Sequence, residues 1–359
     1  MINTARAVGK LTPGLVASLV TSLVIGLSGS LHAQQVRIIQ TNSHSDVISL
    51  IDPATQTVVG EIHGIPVNHG AAAAPDGSRL YFSSEAKTTL DVVDTKTLKI
   101  VKEIPLTARP NNITIGKDGR FVYVGIMEGD GGLDVIDTQS LAKVRHINTG
   151  GRVHNPYVTP DGRYVVAGMF GGANNLAVFD TATDQGVFAL YPPRNGNQGD
   201  ALDGIRPVTF DTNADGSTHN MYVQLSDYHG FTVIDFANRK EIARIELPSI
   251  PSEQRVAEGT YNRAPSHGIG VAPDGHTLWV CSRLNGHVYA YSLPELKLIG
   301  AVKVGSHPDW LTFSPDGRFA YVANGESNNV SVIDIKAVRE VTRIAVHDAP
   351  KRNITAVFR

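Results

Sequence analysis

The chain has very little cysteine: Cys281 is the single one in 359 residues. An intramolecular disulfide and any cysteine-rich zinc or iron–sulfur centre are thereby excluded. Neither charge sign dominates, with 32 Lys plus Arg against 34 Asp plus Glu and a formal charge of -2. That balance gives no global electrostatic reason to expect nucleic acid or an anionic membrane as partner. No apolar run reaches the roughly 20 residues of a bilayer span; the longest, Leu15 to Leu27, falls short. Nucleotide, haem and flavin signatures are missing, as are the Gly-x-Ser-x-Gly nucleophile turn and a calcium loop. Disorder is excluded as well, because 42% of residues are hydrophobic and only 18% charged.

What is present begins with an export signal. Arg6 and Lys10 precede an uncharged stretch from Leu11 to Leu31, which ends at Leu31-His32-Ala33. This charged, apolar and small-residue order reads as a secretory signal over residues 1–33, with residues 34–359 as the exported protein. A bacterial periplasm is the expected destination, a secreted or surface-bound form the alternative. With 35 Gly and 19 Pro, the rest of the chain turns often.

Those turns are periodic. Asp-Gly recurs at Asp76, Asp118, Asp161, Asp215, Asp274 and Asp316, each time before a β-rich run. Each reads as a tight hairpin turn. A second marker, an apolar strand running into a turn, falls at Asp52, Asp94, Asp137, Asp180, Asp235, Ser292 and Asp334, with spacings of 42, 43, 43, 55, 57 and 42. Four short strands fit each unit, for example one before Asp118-Gly119, then 121–125, 133–136 and 143–147. Seven such units predict an all-β, seven-bladed β-propeller. The segment 36–41 reads as a second strand and 353–358 as a first strand, so the two ends would complete one blade and close the ring.

Segments such as Ser314-Pro315-Asp316-Gly317-Arg318-Phe319-Ala320-Tyr321-Val322-Ala323-Asn324, followed by Asn329-Val330-Ser331-Val332-Ile333-Asp334, resemble the YVTN-type propeller repeat family. The likeness covers nearly all of residues 34–359. It implies the propeller fold but leaves function open, since its members include binding proteins, surface proteins and enzymes. Some members bind single-stranded DNA. The aromatic residues here alternate within strands and read as core rather than as stacking platforms, so nucleic acid is not expected.

Small-molecule sites of propellers lie where the inner strands open at one mouth of the channel. Seven positions before the Asp of the Asp-Gly turns stand His69, Asn111, His154, His267 and Asp309. A longer turn brings Arg206 into register, and the alignment of Arg352-Asn353-Ile354-Thr355 with Asn111-Asn112-Ile113-Thr114 nominates Arg352 for the closing strand. Three histidines among seven positions exceed the roughly 0.25 expected from composition. His69, His154 and His267 could supply three ligands to a divalent metal, zinc or copper, and leave a position open. In that arrangement alone the chain resembles peptidyl-amidoglycolate lyase and copper-dependent thiocyanate dehydrogenases. The alternative is that these imidazoles are structural or contact a ligand directly. Arg206 and Arg352 suit a carboxylate or phosphate, unless they pair with Asp309 across blades.

Loops on the same side add His44, Glu85, Glu128, Asp227, His229 and Glu326. Insertions at about 185–205 and 247–265 lead to this mouth and carry Tyr261 and Arg263, suiting a lid or a protein-partner surface. The expectation is a site for a small, anionic ligand, with Arg206, Arg352, Asn111, Tyr261 and Arg263 binding it and Asp309 or Glu326 moving a proton. Such a site would serve a metal-dependent lyase, hydrolase or oxidoreductase. The alternative is a non-catalytic propeller recognising a protein, peptide or glycan.

Overall fold

The computed structural model describes residues 1, 35–171, 175–190, 204–255 and 263–358. The chain divides into the units Met1–Ala33 and Gln34–Arg359, and the second carries all the described secondary structure. No described helix is long and apolar enough to cross a membrane. Twenty-eight described strands, numbered β1 (Gln35–Asn42) to β28 (Pro350–Phe358) in chain order, form seven four-stranded antiparallel sheets. One turn of 3-10 helix, Ser252–Gln254, is the only described helix.

The first strand of each sheet comes from β4 (Asn68–Ala73), β8 (Pro110–Ile115), β12 (Arg152–Val158), β16 (Ile205–Thr212), β20 (Ser266–Val271), β24 (Pro308–Phe313) and β28. Each touches the corresponding strand of the next sheet, and β28 touches β4, so the ring is closed. The closing sheet has the order β28-β1-β2-β3, where β2 is Ile48–Asp52 and β3 is Thr57–Ile62. Pairing of β1 with β28 runs from Gln35 opposite Phe358 to Asn42 opposite Pro350, with a bulge between Gln40 and Asn42. The two ends of the repeat region meet in one blade, and neither is left as a bare sheet edge.

Alternating burial explains which strand lies where. The central strand β10 (Gly132–Asp137) is buried along its whole length, whereas β7 (Lys99–Pro105) lies at a sheet's outer edge and is mostly solvated. Apolar side chains of adjacent sheets interdigitate between blades: Leu80 and Phe82 pack with Ile39, Ile48 and Phe358 at the closing junction. A fully buried side chain of this kind contributes about 1.5–3 kcal/mol.

The Asp-Gly turns are built differently from a two-residue hairpin. The Gly77 N–H donates to the Ala74 carbonyl at 2.9 Å, so Pro75 and Asp76 are the central residues of the turn and Gly77 follows it at φ 74°. Asp76 Oδ1 accepts the Ser78 N–H at 3.0 Å. Proline presets the first corner, aspartate caps the backbone two residues on, and glycine takes the left-handed conformation.

Candidate functional site

The ring of polar residues stands at the start of the inner strands, at the end opposite the Asp-Gly turns. Its register is marked by backbone shape. Val67, His307 and Ala349 adopt φ of 49°, 59° and 53°, and their carbonyls accept from Glu85, Gly325 and Ser43 respectively. Two residues beyond each stand His69, Asp309 and Lys351. The closing strand therefore places Lys351, not Arg352, at the ring: Pro350 pairs with Asn42 as Pro110 pairs with Ile126 and Pro308 with Asn324, so Lys351 matches Asn111 and Asp309, and the likeness of 353–355 to 112–114 is one residue out of register. Arg352 lies next to the ring, with its guanidinium over the Trp310 ring at 4.4 Å and 5.9 Å from that of Tyr157.

On one side of the mouth Glu85 organises its neighbours. Its Oε1 meets His69 Nδ1 at 2.6 Å and accepts from Asn111 Nδ2 at 3.5 Å, while Arg109 reaches Oε2 at 2.8 Å. Burial pushes this carboxyl upward, but His69 and Arg109 together outweigh burial and hold it below the usual glutamate value. His69 Nδ1 is thus committed to a carboxylate.

On the other side the rings of His154 and His267 approach edge to face, with centroids 5.9 Å apart. Both are buried. Their tautomers follow from their partners. His267 Nδ1 faces the Asp309 carbonyl oxygen at 2.8 Å, which only accepts, so the proton sits on Nδ1. His154 Nδ1 faces the Asn155 amide nitrogen at 2.5 Å, which only donates, so its proton sits on Nε2. Burial first, then Arg206 for His154 and Arg283 for His267, push both imidazoles well below the ordinary histidine range. Phe170 stacks on His154 at 4.5 Å and lies under the Arg206 guanidinium at 4.4 Å. Arg206 Nε also donates to Ser226 Oγ at 3.1 Å.

Asp309, wholly buried, is shared by two cations. Arg283 pairs with its Oδ1, and Lys351 Nζ lies 2.8 Å from its Oδ2. Burial, followed by the Arg283 charge, pushes the Lys351 ammonium down to about 7, while a quarter of its side-chain surface stays open. Glu326 contributes charge rather than contact: its oxygens are held by Ser306 Oγ and His307 Nδ1, both at 3.2 Å.

These geometries revise several expectations. Among the described residues no group of three His, Cys, Asp or Glu is placed to hold a metal ion; His69 is drawn away by Glu85, and His267 Nδ1 is occupied by a carbonyl. Asp309 serves as an ion-pair hub, not as a carboxylate available for proton transfer. Arg263 forms a two-pronged pair with Asp227. Tyr261 lies outside the described residues, as do residues 191–203 of the first insertion and 256–262 of the second. Arg283 and Lys351 were missed by counting back from the Asp-Gly turns. Arg283 was legible another way, since it follows Ser282 as Glu85 follows Ser84, and both serines register with the first residue of an inner strand. A cleft of about 910 Å³ lies at the opposite end, lined by Asp76, Arg79, Asp118 and Arg120 among others. Its arginines are occupied by the Thr138 carbonyl and by Asp137.

Seven closed blades with a buried, cation-rich mouth define a propeller carrying a polar site at one end of its channel. The chain belongs to the lactonase seven-bladed β-propeller family, whose sequence profile matches residues 133–350. That is a family of hydrolases, and membership overturns the expectation of a metal-dependent lyase or oxidoreductase as well as that of a non-catalytic scaffold. No curated relative matches the sequence. Among solved structures, Kuenenia stuttgartiensis hydrazine synthase is 25% identical, with a TM-score of 0.67 over 82% of this chain and 90% of that one. The periplasmic gluconolactonase of Pseudomonas aeruginosa is 18% identical, with a TM-score of 0.68 over 89% and 99%. A candidate 6-phosphogluconolactonase from Bacteroides uniformis is 19% identical, with a TM-score of 0.69 over 90% and 99%.

Proposed function

We propose that the channel mouth hydrolyses a small sugar-derived lactone. Family membership and the sugar lactonases among the similar structures support this reading. The observation that carries it is the grouping of Arg206, Arg283 and Lys351 around the neutral His154 and His267, with the Lys351 amine tuned to about 7. A base poised near neutral pH is what addition of water to a carbonyl requires. In this reading the neutral Lys351 amine takes a proton from water as the oxygen adds to the lactone carbonyl. Arg206 and Arg283 stabilise the oxyanion in a poorly solvated setting. Collapse breaks the ring C–O bond, the proton passes to the departing alkoxide, and a hydroxy acid leaves. His267, with its proton on Nδ1, presents an Nε2 lone pair for orienting a substrate hydroxyl, while His154 is held by the Ile205 backbone and by Asn155. Export to a periplasm, supported by Arg6, Lys10 and the 11–31 stretch, and kinship with YVTN-type repeats complete the reading.

Hydrolysis of glucono-1,5-lactone and related lactones, measured above the spontaneous rate, tests it. Lys351 is charged and unable to accept a proton below about pH 7 and neutral above it. The rate should therefore rise through pH 7. Lys351→Met should lower kcat/KM by about 100-fold or more and abolish that limb while the circular dichroism spectrum is kept. A wild type with no activity on any lactone, or a Lys351→Met variant with the same rate and pH profile, would overturn the proposal.

A further inference from the structure

We propose that the channel holds a small-anion site at Arg352, distinct from the groups assigned to hydrolysis, that takes one monovalent anion of halide or carboxylate size. Four observations carry this. The backbone of Arg352 is fixed, since its carbonyl accepts from Gln40 Nε2 at 3.3 Å and Thr41 Oγ1 at 3.0 Å. Its guanidinium lies over the Trp310 ring at 4.4 Å and faces Tyr157, which belongs to a blade three sheets away around the ring, so the side chain reaches into the channel. No described carboxylate pairs with it, in contrast to Arg109, Arg263 and Arg283. Its Nε is sealed from solvent and has no hydrogen-bond partner.

A guanidinium has five N–H donors in a planar fork. The Trp310 face attracts its charge and the Tyr157 side chain hydrogen-bonds one part of the fork, but Nε is left without an acceptor and the charge without a counter-ion. An in-plane acceptor that also carries negative charge would meet both needs, and a halide or a single carboxylate does so. Trp310 touches His267 edge to face at 5.0 Å and so forms a shared wall between this site and the mouth.

The same tryptophan provides the readout. The full exported protein, in a low-salt buffer, is titrated with sodium chloride, sodium formate and sodium phosphate while tryptophan fluorescence and heat of binding are followed. A saturable response to chloride or formate is expected, weakened at least tenfold in Arg352→Gln and partly retained in Arg352→Lys. Formate alone would assign the site to carboxylates, and both ions would make it a general small-anion site. A response to phosphate alone, no saturable response, or an unchanged response in Arg352→Gln would overturn the proposal. Should Arg352→Gln fail to fold, bromide-soaked crystals of the wild type decide, with an anomalous peak expected in the guanidinium plane and its absence there counting against the site. Lactone hydrolysis is scored separately, so either proposal can fail without the other.

Discussion

Both carboxylate oxygens of Asp309 are engaged, one by Arg283 and the other by Lys351, at a position with no solvent exposure. Removing a buried partner strands the opposite charges, which costs about 3–5 kcal/mol. Asp309→Asn should lower stability by that amount in urea denaturation with an unchanged m-value; a loss below about 1 kcal/mol, typical of an exposed pair, would show that the pair is solvated. At this scale the sequence was partly legible. Counting back from the turns found His69, Asn111, His154, Arg206, His267 and Asp309 because the inner strands keep one length. It missed Lys351 because the closing strand has no Asp-Gly turn to count from, and the match of Asn353-Ile354-Thr355 to Asn112-Ile113-Thr114 is one residue out of the register that strand pairing sets. It missed the pairing of Arg263 with Asp227 because those residues lie 36 positions apart and meet only through the blade packing.

Inner strands of neighbouring blades approach closely enough to exclude a side chain at certain points. A Cβ at Gly70 would lie 2.8 Å from the Ile113 nitrogen and 2.9 Å from the Asn111 carbonyl oxygen, both backbone atoms of β8. Those atoms cannot rotate away, so Gly70→Ala should force the two blades apart and cost about 1–3 kcal/mol. A fall in thermal midpoint checks this, and an unchanged midpoint would mean that the ring relaxes without strain. The positions of strands were well marked by alternation and by the Pro-Asp-Gly turns, as with 121–125 against Phe121–Ile126. The turn type was not, since the Asp-Gly pair alone does not tell whether aspartate or proline begins the corner.

Closure of the whole ring rests on β28. Ile354, Ala356 and Phe358 supply the closing junction with apolar surface, and β1 relies on β28 for its inner partner. A chain ending at Ala349 should lose the single cooperative calorimetric transition and self-associate through the bare edge of β1, as size-exclusion chromatography would show. A monomer melting cooperatively would mean that six blades and a partial seventh suffice.

The sequence by itself determined the blade count, the strand order and the polar ring, because turn chemistry and two-residue alternation are local and repeat seven times. Tertiary structure alone decided which charges meet. Whether Glu85 holds His69, whether Asp309 is a proton carrier or an ion-pair hub, and whether Lys351 or Arg352 completes the ring depend on strands brought together from distant parts of the chain. Burial then sets the protonation of those groups, and burial is a property of the closed ring that no single repeat contains.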